Sequence, residues 1–100
     1  MARLDDVLSC LRAHAAELRA RGVLHAGVFG SVARGEDGPD SDVDVAVELD
    51  PARPIGLFQF VAIERAISTF VGRPVDLIEL HDMSRPRFRD AVEKDRVYAF

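Results

Sequence analysis

Leu4, Val7, Leu8, Leu11, Ala15 and Leu18 recur at intervals of three and four residues, the spacing of one helical face. They predict a helix from about Leu4 to Arg21, closed by Gly22. The short apolar run Val23–Phe29 reads as a buried strand that stops at Gly30, and Gly30–Gly35 as a tight turn followed by one or two helical turns. After a polar loop over Glu36–Ser41, strict alternation sets in: Val43, Val45, Val47 and Leu49 fall on one face, Asp42, Asp44, Ala46 and Glu48 on the other. Period two predicts a strand. Beyond a Pro-rich connection at 50–54, Leu57–Val71 predicts a second long helix whose core stripe is Phe60, Ile63, Ile67, Phe70 and Val71, with Gly72 as its stop. Pro74–Leu80 reads as a third strand, Arg85–Glu93 as a helix capped by Ser84, and Val97–Phe100 as a last short strand. The expected fold is α/β (α+β): a mixed sheet of about four strands flanked by helices, in one layer or on both faces.

One hundred residues, 48% hydrophobic and 30% charged, describe a single domain spanning 1–100. A chain of that size buries roughly 65% of its unfolded surface and needs no disulfide framework. Cys10, the sole cysteine, makes no internal bridge and suits a reducing compartment. No apolar run approaches the roughly 18 residues of a membrane span, and Met1–Asp6 turns acidic where a signal peptide turns apolar. The expectation is a cytoplasmic protein. A net charge of −4 argues against broad nucleic-acid binding. The charge is also segregated, because Glu36, Asp37, Asp40, Asp42, Asp44, Glu48 and Asp50 crowd into fifteen residues without one Lys or Arg. Such a cluster either spreads into water or converges on a cation.

Asp42 and Asp44 stand at i and i+2 of the alternating strand, so both project from one side, about 6.5 Å apart along the backbone. Paired carboxylates of this kind suit a hard cation such as Mg²⁺, with water and substrate phosphates completing its shell. An edge strand with a polar outer face has the same pattern. Gly30-Ser31, between a strand and a short helix, lets a backbone approach a ligand closely and offers N–H groups to phosphate. Asp76 shares a face with Ile78 and Leu80, where the pattern expects an apolar, buried residue, and a buried Asp needs a partner. A sheet that set Asp76 beside Asp42 and Asp44 would form a three-carboxylate site for two Mg²⁺ ions. His14, His25 and His81 have no zinc-site spacing, and no Walker-type phosphate loop is present.

Taken together, Gly30-Ser31-Val32-Ala33-Arg34-Gly35, Ser41-Asp42-Val43-Asp44-Val45 and Val75-Asp76-Leu77 resemble the signature of the DNA polymerase β-like nucleotidyltransferases. More narrowly, the whole chain resembles the minimal nucleotidyltransferases, the MNT antitoxins paired with HEPN-domain toxins. The resemblance implies the nucleotidyltransferase fold, with Asp42 and Asp44 as metal ligands and Asp76 as the third carboxylate. It also implies that Gly30 and Ser31 hold nucleotide phosphates, with Arg34 either at a phosphate or paired only with Asp37 or Asp40. The implied reaction is Mg²⁺-dependent transfer of AMP from ATP to a tyrosine of a HEPN ribonuclease toxin, which is thereby switched off. So short a chain would borrow its acceptor site from that partner. A non-catalytic antitoxin that occludes the toxin is the main alternative, motivated by apolar Leu57, Phe58 and Val61 lying outside the helix's core stripe. A small-molecule acceptor is another. The chain departs from the family pattern at Asp95-Arg96, where a glycine-containing turn would precede the last strand.

Overall fold

Val43, Val45 and Val47 lose all contact with solvent, so the alternating segment is the middle of the molecule. The computed structural model describes residues 4–36, 38, 42–80 and 97–100. Within them run α1 (Leu4–Ala13), α2 (Ala15–Ala20), β1 (Val23–Phe29), α3 (Gly30–Arg34), β2 (Val43–Leu49), α4 (Leu57–Val71), β3 (Val75–Glu79) and β4 (Val97–Tyr98). The sheet order is β3-β2-β1-β4. β1 pairs antiparallel with β2 and with β4, whereas β2 and β3 are parallel. A parallel pair needs a long crossover, which α4 supplies. The sheet is therefore mixed and four-stranded, as the pattern led us to expect.

Every described helix buries its apolar stripe on one face of this sheet: Leu8 and Leu11 from α1, Leu18 from α2, Val32 from α3, and Ile63 and Ile67 from α4 join Val28, Val45 and Leu77 in one cluster. Each fully buried Leu or Ile contributes about 1.5–3 kcal/mol of transfer free energy. The other face carries a smaller cluster of Phe29, Ala46 and Ile78, with Leu80 packed beside it. No described helix is long and apolar enough to cross a membrane.

The first predicted helix is two helices. At His14 (φ −106°, ψ 15°) the turn tightens, and the amide is shared between the carbonyls of Cys10 and Leu11, both at 3.2 Å. The His14 ring stacks on Phe70, with centroids 3.6 Å apart and planes 4° off parallel. α4 matches its expected limits: Gln59 Oε1 accepts from the Gly56 N–H at 2.8 Å at the start, and Gly72 ends it in the left-handed region at φ 72°. Two arginines then tie the periphery down. Arg12 donates to the Ala99 carbonyl at 2.8 Å, linking α1 to the end of the chain, and Arg53 donates to the carbonyls of Arg19 and Ala20 at the end of α2. The expected Arg85–Glu93 helix, its Ser84 cap, His81, Asp37, Asp40 and Asp95-Arg96 lie outside the described residues.

Candidate active site

β1 ends in extended backbone at Phe29, which faces Asp44 across the antiparallel pair. The next residue, Gly30, therefore lands against the Asp44 side chain. Gly30 has φ +72°, a conformation that costs a side chain about 1–2 kcal/mol. A Cβ there would also collide with the Asp44 carboxylate and sit 3.1 Å from its Cγ. Glycine is thus required twice, once by the turn and once by the space. α3 starts at this point without a side-chain cap, so the first N–H groups of Gly30 and Ser31 remain available to an anion.

Asp42 immediately precedes β2 and is exposed, whereas Asp44, two residues on, is half-buried. In the parallel pair Asp44 is the register partner of Asp76, and neighbouring strands lie about 4.8 Å apart. The structure thus sets Asp76 beside Asp44, on the face opposite the helices. It corrects one expectation. Asp76 is exposed, because β3 is an edge strand and its margin opens to water despite the apolar Ile78 two residues further along. The Asp44 carboxyl is pushed above its ordinary value, first by burial, then by the charges of Asp76 and Asp42, with Arg34 pulling the other way. Asp42, Asp44 and Asp76 therefore share one electrostatic neighbourhood.

Among the described residues, no group of three or more His, Cys, Asp or Glu side chains is gathered into a ready metal cage. The donor set still fits a hard divalent cation. Mg²⁺ is ordinarily held by one or two carboxylates, with water and substrate phosphates supplying the rest. The space left by the missing Gly30 side chain lies directly against Asp44.

Arg34 donates from Nε to Glu36 Oε2 at 2.9 Å, a partner the sequence did not suggest, while Asp37 and Asp40 lie outside the described residues. Its effect on Asp44 keeps it within the same neighbourhood. Sequence reasoning missed a groove of about 650 Å³ that opens beside Asp76 between β3 and α4, with Glu64 and Glu79 on its walls. The signal available for it was the apolar excess at the start of α4.

Residues 11–99 match the nucleotidyltransferase domain family. A 79-residue stretch is 42% identical to the protein adenylyltransferase MntA of Thermococcus cleftensis, covering 78% of each chain. A solved structure described as a candidate minimal nucleotidyltransferase superposes with a TM-score of 0.77 at 28% identity, over 96% of this chain and 95% of that one. The fold is shared as well with the MNT antitoxin complex of a tri-AMPylated HEPN toxin from Shewanella oneidensis, at a TM-score of 0.63 and 17% identity, over 93% of this chain and 71% of that one.

Proposed function

The chain belongs to the nucleotidyltransferase domain family, and from that premise we propose that it is an Mg²⁺-dependent adenylyltransferase that moves AMP from ATP to a tyrosine hydroxyl of a HEPN-domain ribonuclease toxin, silencing it. The observation that carries the reading is the register that opposes Asp76 to Asp44, with Gly30 cleared of a side chain against that same carboxylate. The name of the Thermococcus relative supports a protein as acceptor. In the fold-related Shewanella complex the MNT antitoxin is seen with a HEPN toxin.

Asp42 and Asp44, with Asp76, would hold the metal, two ions at full occupancy. Bound there, magnesium supplies charge neutralisation on the triphosphate and the departing pyrophosphate. The N–H groups of Gly30 and Ser31 position phosphate oxygens at the start of α3, and Arg34 adds positive charge beside them. The tyrosine oxygen attacks the α-phosphorus, the bond from that phosphorus to the bridging β-oxygen breaks, and pyrophosphate leaves. Asp76 takes the phenolic proton. Its exposure on an edge strand suits an acceptor brought by another macromolecule.

The test is co-expression with the HEPN-domain protein encoded beside this chain, followed by intact mass of that protein. We expect one or more added adenylyl units with the wild-type chain and none with Asp42→Asn/Asp44→Asn, which remains folded. Transfer retained by the double variant would sink the catalytic assignment. Exposed Leu57 and Phe58 favour a second reading, an antitoxin that works by occlusion alone. In that case the double variant still protects cells from the toxin and the partner's mass never changes.

A further inference from the structure

We propose that the groove between α4 and β3 is where the acceptor segment docks, and that it selects a tyrosine flanked by lysine or arginine. This rests on the adenylyl-transfer reading above and deepens it. The groove has a volume of about 650 Å³ and is contributed by Leu57, Phe60, Val61 and Glu64 of α4 and by Asp76 and Glu79 of β3. Its position is the first argument. Asp76, whose carboxylate is assigned to take the phenolic proton, borders the groove at the open edge of β3, so a segment lying in it passes along the strand that carries that base.

Charge is the second argument. Three acidic residues, Glu64, Asp76 and Glu79, border the groove and no described lining residue is basic. Glu64, Asp76 and Glu79 form no ion pair among the described residues. A segment carrying Lys or Arg on either side of its tyrosine answers that field, whereas an acidic segment is repelled. The same field disfavours a second copy of this chain, whose net charge is −4. Anchorage is the third. At the start of α4, Leu57 is 74% and Phe58 89% exposed, the two most exposed large apolar side chains described. Leu57 lines the groove and Phe58 is its neighbour on the first turn of α4, and exposed apolar side chains of this size carry binding energy once covered.

The probes are two fluorescein-labelled peptides, one with its tyrosine between arginines and one with the same tyrosine between glutamates, titrated with the full chain by anisotropy. The arginine peptide should bind at least about tenfold tighter. Leu57→Ser/Phe58→Ser and Glu64→Gln/Glu79→Gln should each weaken it by about tenfold, a loss of about 1.4 kcal/mol. Affinity for Mg²⁺-ATP should not change, which reports that both variants fold. Equal affinity for the two peptides, no binding by the wild-type chain, or variants that bind like wild type would overturn the proposal. So would a wild-type dimer that Leu57→Ser/Phe58→Ser converts to monomer without loss of peptide affinity. Binding requires no transfer, which separates the two claims. An arginine peptide held in the groove but unmodified by mass upholds the docking site and counts against adenylyl transfer, and a peptide adenylylated equally by all variants removes the docking site alone.

Discussion

Gly30 and Gly72 share a left-handed φ of 72° and differ in what surrounds them. A Cβ on Gly72 meets nothing within 4 Å, whereas one on Gly30 runs into the Asp44 carboxylate. Gly72→Ala should therefore cost only the left-handed penalty, about 1–2 kcal/mol in urea unfolding, and leave transfer unchanged. Gly30→Ala should cost more and abolish transfer. Asp44 makes a pH prediction. Its folded pKa is raised, so the stability it contributes is fully present below the ordinary value of 3.8 and is lost as pH rises through the folded value. Asp44→Asn should melt with the wild type in acid and above it at neutral pH. Because the group is partly solvated the gap is small, and it is read from thermal melts across pH. The carboxylates and the Gly-Ser turn were legible because their spacing along the chain is itself the signal. That Gly30 touches Asp44 was not, since strand pairing is a property of the sheet. Nor was the exposure of Asp76, which depends on β3 lying at an edge.

α4 could be read from its unbroken apolar stripe and from Gly72, which ends it. The break at His14 left no such mark, because the apolar spacing of Leu11, Ala15 and Leu18 continues through it while a ring stack with distant Phe70 accompanies the tightened turn. β2 was legible because one of its faces is wholly apolar. β4 is two residues long and is held from outside: Arg12 Nε reaches the Ala99 carbonyl, and the Ala99 amide donates to Ala26 at 2.8 Å. Removing the charged donor should free this strand and little else. For Arg12→Ala we expect native-state hydrogen exchange at the Ala99 amide to speed up by about tenfold, the equivalent of about 1.4 kcal/mol, while β1–β2 amides keep their wild-type protection.

At the scale of the whole molecule, segregated negative charge makes folding stability responsive to divalent cations. Magnesium at about ten times its dissociation constant should stabilise the wild type by about 1.4 kcal/mol, a rise of roughly 6–10 °C in Tm. In Asp42→Asn/Asp44→Asn this gain should vanish, and potassium chloride at matched ionic strength should reproduce little of it in either protein. The parallel register of β2 and β3 ties that response to the core. Sliding β3 by one residue against β2 would turn Asp76 toward the helices and push Val75 and Leu77 into water. The site thus inherits its alignment from parity: greasy positions odd, charged position even. A single-residue insertion within either strand is then a frameshift in three dimensions, silencing the chemistry and unfolding the protein in one stroke.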